Sequence, residues 1–404
     1  MVWVPAIAEA ALGTLAFFPF LKHRISISRW LKKPIQYPEK PPKQPLMILL
    51  PIWNEAKIIK QKLDNLSMNT EIACSLLIID SASTDDSVTL VKDWIKENDS
   101  KFESIELIEM ESRLGKTTAV HKALAHLKSS NFEGLVLMTD ADATISKGTI
   151  DRMYGWFSDQ EIGAVGARAI RSQSTGEEAQ YRSMFEMIRQ GESNQDSTPF
   201  LEGSCMMWRL SSLDLSLLNL NSNADDAQIA TGIRMGGQRS IFDDKASFED
   251  VAPPTIEGQR RQKIRRAQGL QRLLKDQKKN PKIRSTGRFK KIFSMQHYMH
   301  IYSPILAFGV GLSAVSRWIM VSVTGMPTGM DAAIHASLGV LELFCLTSWL
   351  CVRQGVRLPL LGKIGTILTG LEYLLIAQYN SFRGRTSHMW QQHSDTREII
   401  SKKN

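Results

Sequence analysis

The sequence predicts an α/β domain on a mostly parallel sheet, carried by membrane-spanning helices at both ends. Three observations predict it. Between residues 46 and 139, apolar runs of strand length alternate with segments of helical periodicity. Acidic and basic groups gather just after those runs, and long apolar stretches flank the whole. Alternating strand and helix implies parallel strands covered on both faces. Such sheets bind ligands beyond the carboxyl ends of their strands.

The composition bounds the rest. A chain of 404 residues, 43% hydrophobic and 23% charged, is globular rather than disordered. A formal net charge of +9 favours anionic partners: nucleic acid, acidic lipid or phosphorylated small molecules. Cys74, Cys205, Cys345 and Cys351 form no CxxC pair, which argues against a zinc site or disulfide framework and for a reducing compartment.

Residues 1–33 read as an anchor. Val2–Leu21 carries Glu9 as its only charge, and Lys22, His23, Arg24, Arg29, Lys32 and Lys33 follow it. Positive charges after the apolar core distinguish a retained span from a cleaved signal peptide, and put the N-terminus outside. Residues 34–45 form a proline-rich linker. The α/β domain covers 46–282. Its strands are expected at Leu46–Ile52, Ser75–Asp80, Ile105–Met110 and Gly134–Thr139, with helices over 55–68, 84–98 and 115–129. Beyond residue 160 the pattern loosens. It offers a strand at Gly163–Arg168, a helix at Gly176–Gln190, a helix opening at Asp225 and a strongly basic stretch from Gln259 to Lys291.

Residues 283–300 mix cations with aromatics, as an amphipathic helix in the membrane interface does. The region 301–380 holds three apolar segments, Ile301–Thr324, Ala332–Val352 and Leu358–Tyr379. Arg317, His335, Glu342, Lys363 and Glu372 interrupt them, and such groups face a bundle interior or a polar cavity. Three full spans would leave the basic tail, 381–404 with Arg383, Arg385, Arg397, Lys402 and Lys403, on the outside, against the positive-inside tendency. The region therefore reads as two or three spans.

The groups suited to chemistry lie behind the strands. Asp140 and Asp142 stand one residue apart at the end of the fourth run, where two like charges are costly unless a positive group lies beside them. A hard divalent cation with a phosphate as its other ligand meets that need. Helix capping is the alternative, although Thr144 or Ser146 could serve it. Asp80, with Ser81, Ser83 and Thr84, could accept from a nucleobase or ribose, or could simply build a turn. Lys116 follows Gly115 at a helix start, where a phosphate meets N–H donors and a cation together; a surface lysine is the bland reading. Asp225 or Asp226 could take a proton from an incoming hydroxyl, or merely favour the helix dipole. Gln262 and Arg265 share a helix face, and arginine's planar fork suits phosphate. Attachment to acidic lipid is the alternative there.

Taken in order, these motifs resemble those of the membrane-bound family 2 glycosyltransferases, the group of cellulose, chitin and hyaluronan synthases, across about residues 46–275. Pro51-Ile52-Trp53-Asn54-Glu55 is similar to the family's P-x-Y-N-E nucleotide segment, with Trp53 in place of tyrosine. Asp80 and Asp85 fit the two ends of its D-D-x-S-x-D turn, with Ser81 at the second aspartate. Arg113, Gly115 and Lys116 fit the G-K segment, with His121 where asparagine is common. Asp140 and Asp142 fit the metal-binding DxD, and Asp225-Asp226 the acceptor motif. Gln262 and Arg265 fit Q-x-x-R-W, with Arg266 where tryptophan should stand.

The resemblance implies a Rossmann-like GT-A fold and cytoplasmic catalysis at the cell membrane. It implies inverting transfer of a sugar from a nucleotide-sugar donor, UDP-sugar favoured, to a hydroxyl of a saccharide or lipid acceptor. Asp226, beside Asp225, would be the base, with Mg²⁺ or Mn²⁺ on Asp140 and Asp142. The donor would meet Pro51, Trp53, Asn54, Glu55, Asp80, Lys116, Asp140, Gln262 and Arg265, and the acceptor Glu202, Gly203 and Ser204. Arg266 in place of tryptophan sets a growing polysaccharide against single addition to a polyprenyl-phosphate or other lipid. A reading of another class is a non-catalytic basic membrane protein that binds lipid or nucleic acid. It predicts no metal-dependent binding of sugar nucleotides. The basic stretch before residue 288 lacks the aromatic interleaving of single-strand binders, so no nucleic acid is expected.

Overall fold

The structure, a computed structural model, describes residues 3–40, 42–172, 176–356, 359–385 and 394–401. Val2 of the first span, Pro41 of the linker, Leu358 of the last apolar segment, and Lys402 and Lys403 of the tail lie outside the described residues. After helix α1 (Trp3–Trp30) and the linker, the four apolar runs form the strands expected of them. These are β1 (Leu46–Ile52), β2 (Cys74–Asp80), β3 (Ile105–Glu109) and β4 (Leu135–Thr139). They pair in parallel in the order β3-β2-β1-β4.

The crossovers are α2 (Ile59–Met68), α3 (Ser87–Asn98) and α4 (Lys116–Ser129). Alternate residues of β1 face opposite layers. Ile48 and Leu50 pack with Leu63 of α2 and Trp94 of α3, while Leu49 packs with Val120 and Leu124 of α4. Helices α2 and α3 start later than their apolar periodicity suggests, because the residues just after β1 and β2 are stitched together as loops (below).

The second half departs from a mostly parallel sheet. Strands β5 (Thr144–Ile145), β6 (Ile162–Ser172), β7 (Cys205–Arg209) and β8 (Arg239–Val251) extend it to β3-β2-β1-β4-β7-β6-β8-β5. The pairs β4–β7, β6–β7 and β5–β8 are antiparallel, so the sheet is mixed. Charges at Asp243, Asp244 and Lys245 mask the alternation of β8, and β7 is only five residues long. The reversal has a use. With Thr139 opposite Cys205, the residues just before β7 arrive at the same edge as the ends of β1, β2 and β4.

Helices α5 (Thr149–Gly155), α6 (Gly176–Gln195), α7 (Asp225–Met235), α8 (Ile256–Gln277) and α9 (Pro281–Ser285) complete the domain. Phe289 and Phe293 of α10 (Arg288–His297) pack with Phe200, Leu273 and Leu274. The apolar face expected in the membrane interface is thus turned onto the domain.

Helices α11 (Ser303–Thr324), α12 (Gly329–Arg353) and α13 (Pro359–Phe382) follow, and α14 (Ser394–Ser401) closes the described chain. Among the described residues, three helical stretches are long and apolar enough to cross a membrane: Trp3–Trp30, Arg288–Thr324 and Gly329–Arg353. Helix α13 packs on α12 and α8. Of the ionisable groups that interrupt the apolar segments, Arg317, His335, Glu342 and Glu372 turn inward, as their cost in lipid demands, whereas Lys363 is exposed. Arg317 is fully buried between Glu9 (2.9 Å) and Glu342 (2.6 Å). Glu372 accepts from Arg353, Arg260 and Trp349.

Candidate active site

The loop after β1 and the loop after β2 are built as one piece. Asn54 adopts φ 55° and its side chain accepts from Thr84 N (2.7 Å), while its own N–H donates to Ser83 Oγ (2.8 Å). Asp85 accepts from Ala56 N and Ser87 N. Both carboxylate oxygens of buried Asp80 accept from Ser83, so this aspartate shapes its own turn. Pro51, the penultimate residue of β1, is buried. Beside it, the Arg113 guanidinium lies 3.4 Å from the centre of the Trp53 ring. The buried Trp53 Nε1–H has no acceptor among the described residues.

Across the edge of the sheet, a cavity of about 150 Å³ gathers the other half of the site. Gly115, at φ 90°, turns the chain into α4 so that Lys116 points at two carboxylates, Asp140 Oδ1 (2.7 Å) and Asp225 Oδ2 (3.3 Å). Burial opposes charge on Lys116, but these carboxylates outweigh it and hold the ammonium above its usual range. Burial likewise works against ionised Asp140. Lys116 and a hydrogen bond from Ser204 Oγ (3.0 Å) prevail and keep it below the usual carboxylate range.

Asp226 behaves in the opposite way. Burial, reinforced by the neighbouring charge of Asp225, pushes its pKa up to about 6, despite N–H donors at Gly203 (3.1 Å) and Ala227 (2.7 Å). A Cβ on Gly203 would lie 3.1 Å from that of Asp226, so a glycine is what permits the approach. Glu202 pairs with Arg189 (2.8 Å) and more loosely with Arg266 (3.8 Å). Arg265 also lines the cavity, whereas Gln262, one helical turn earlier and half-buried, does not.

Asp142 does not line this cavity and is met by a residue that sequence reasoning left in the basic tail. Arg397 of α14 contacts Asp142 (2.9 Å) and forks onto both oxygens of Glu55 (2.9 and 2.7 Å), joining the loop after β1 to the Asp140–Asp142 turn. Nothing in the spacing foretells a contact across 342 positions. Taking one partner from a buried ion pair costs about 3–5 kcal/mol. Arg397→Ala is therefore expected to release α14, seen as faster amide exchange over 394–401, and to lower the melting midpoint because buried Glu55 loses its partner.

No group of three or more acidic, histidine or cysteine side chains is arranged to hold a metal among the described residues. Asp140 and Asp142 supply two hard oxygen donors, the number with which Mg²⁺ or Mn²⁺ relies on substrate phosphates for the rest. Asp140 is held ionised by Lys116, and Asp142 faces Arg397.

Comparison with known proteins gives this arrangement a context. The mannosyltransferase PcManGT from Pyrobaculum calidifontis, solved in complex with GDP-Man and Mn²⁺, shares the fold. Its TM-score is 0.72 at 24% identity, covering 94% of this chain and 99% of that one. Poly-beta-1,6-N-acetyl-D-glucosamine synthases of Staphylococcus epidermidis and Staphylococcus aureus are 23% and 22% identical over 231 residues. That stretch is 55% of this chain and 54% of theirs, so the chain spans about half the length of these relatives. The model for glycosyl transferase family 2 matches residues 47–215, from β1 through the segment before β7 and beyond it. The model for glycosyl transferase family group 2 matches residues 135–352, running from the DxD strand through α8 into the membrane-length helices. With more than half of its length under that second model, and the GT-A architecture around the site, this chain belongs to the family 2 glycosyltransferases.

Proposed function

We propose that the chain transfers a sugar, with inversion, from a nucleotide-sugar donor to an acceptor hydroxyl presented at the membrane, and that its catalytic domain is cytoplasmic. The observation that carries this reading is Lys116 held between Asp140 and Asp225, with a second aspartate of raised pKa, Asp226, opening onto the same cavity. Asp226 takes the proton of the acceptor hydroxyl. The acceptor oxygen bonds to the anomeric carbon as the bond from that carbon to the diphosphate breaks on the opposite face. Lys116 and Arg265 hold the negative charge that the leaving diphosphate gains. Mg²⁺ or Mn²⁺, when bound by Asp140 and Asp142, supplies Lewis-acid neutralisation of that diphosphate. Trp53, Asn54, Glu55 and Asp80 frame the nucleotide side, and Glu202 to Ser204 the acceptor side.

The basic flank Lys22–Lys33, which runs over the last turns of α1 and just beyond them, supports the cytoplasmic assignment. Uridine is the favoured base from the family resemblance. The GDP-Man carried by the similar mannosyltransferase brings guanosine into the test. Calorimetry of the detergent-solubilised chain with UDP- and GDP-sugars should give binding that is strengthened by Mn²⁺ and lost with a chelator. If no sugar nucleotide binds, the donor reading is wrong.

A lipid-phosphate acceptor is the second reading for the acceptor side. It is supported by Arg266, an exposed cation where polymer-forming relatives carry tryptophan, and by Arg189 nearby at Glu202. Product analysis of membranes given labelled donors separates a lipid bearing one sugar from a long polysaccharide.

A further inference from the structure

The DxD turn rests on a lysine that none of the motifs includes. Lys62 lies on α2 among buried Ile59, Leu63 and Leu66 and is itself only 3% exposed. Its ammonium donates to Thr139 Oγ1 (2.7 Å), just before Asp140, and to the carbonyl of Ala143 (2.5 Å), just after Asp142. Thr139 passes the contact on by donating to the carbonyl of Ser204 (2.9 Å), whose hydroxyl in turn donates to Asp140. One helical turn further along the same face, Asn65 pairs with both the N–H and the carbonyl of Ile145.

Asn65 shows that a neutral amide suffices to pin this segment to α2. An ammonium in the same layer is far costlier, since burying an ion carries a penalty of several kcal/mol even after relaxation. Burial pulls the pKa of Lys62 down to about 8, against the opposing pull of Asp140 and Asp142, so the group remains largely charged at neutral pH. Side chains that orient metal-binding groups from behind commonly tune them as well.

We propose that Lys62 is a positioning residue of the donor site: it clamps both stems of the Asp140–Asp142 turn and sets its charge beneath the two carboxylates, holding the turn ready for a metal-bound diphosphate. This rests on the donor reading above.

The test titrates the full chain in detergent, as wild type, Lys62→Gln and Lys62→Met, with UDP and with GDP, each with and without Mn²⁺, and records melting alongside. Lys62→Gln keeps a donor but loses the charge. It is expected to melt near the wild-type midpoint, to bind nucleoside diphosphate in Mn²⁺ about 10- to 100-fold more weakly, and to raise the donor KM more than it lowers kcat. Should Lys62→Met misfold, Thr139→Val removes the hydroxyl that Lys62 grips and takes its place. Wild type that binds neither nucleotide overturns the donor reading and this one with it. Wild type that binds while the folded variants bind equally well overturns the role of Lys62 alone, whatever happens to their melting.

Discussion

Asp226→Asn is expected to lower kcat by about 10²- to 10⁴-fold, the usual worth of a positioned general base, while leaving donor binding intact. The N–H groups of Gly203 and Ala227 bond different oxygens of Asp226, so the amide keeps one of these bonds and turns its NH2 toward the other donor; melting recorded alongside separates a shifted α7 from a lost base. A pH profile gives the sharper result. The base acts when deprotonated, and burial with Asp225 alongside has raised its pKa to about 6. Wild-type kcat/KM should therefore be full above that value and fall as pH drops through it. The residual activity of the variant should lack this acidic limb. An unchanged rate, or a limb that survives in the variant, would remove Asp226 from the role of base.

Asp140→Asn should have a comparable effect for a different reason, and should act on binding first. The substitution removes the charge that faces Lys116 and one of the two hard donors of the turn, yet leaves an oxygen to accept from Ser204. Charge stabilisation by a divalent ion is worth several kcal/mol, and about 4 kcal/mol corresponds to a factor near 10³. A loss of that order in kcat/KM is expected, together with loss of the Mn²⁺ dependence of nucleotide binding. Lys116 remains paired with Asp225, so the melting midpoint should change little. Retained Mn²⁺ dependence would mean that the ion sits elsewhere.

What could be read in advance followed from burial. Strands β1, β2 and β4 are covered on both faces, so they appear in the sequence as unbroken apolar runs, and the polar groups that end them stand out. Asp140, Lys116, Asp225 and Asp226 meet in one cavity, as the motif order implies. The antiparallel strands were harder, because β7 is short and β8 carries charge where alternation would show. Asp80 has the expected position but spends both oxygens on Ser83. Lys62 did leave a trace, a lysine on the apolar stripe of α2, which periodicity alone takes for a solvated interruption. Arg397 left none, since a tertiary contact between a tail and a first motif has no local signature.

That contact also orders events during synthesis. Glu55 leaves the ribosome 342 positions before Arg397, a delay of roughly 17 to 68 s at typical elongation rates of about 5–20 residues per second. In that interval β1 to β8 can fold, and the membrane-length helices must be handed to the bilayer. Only afterwards does the guanidinium that bridges Glu55 and Asp142 exist. The nascent domain thus acquires the tie between its first loop and the Asp140–Asp142 turn only after its membrane-length helices have been made.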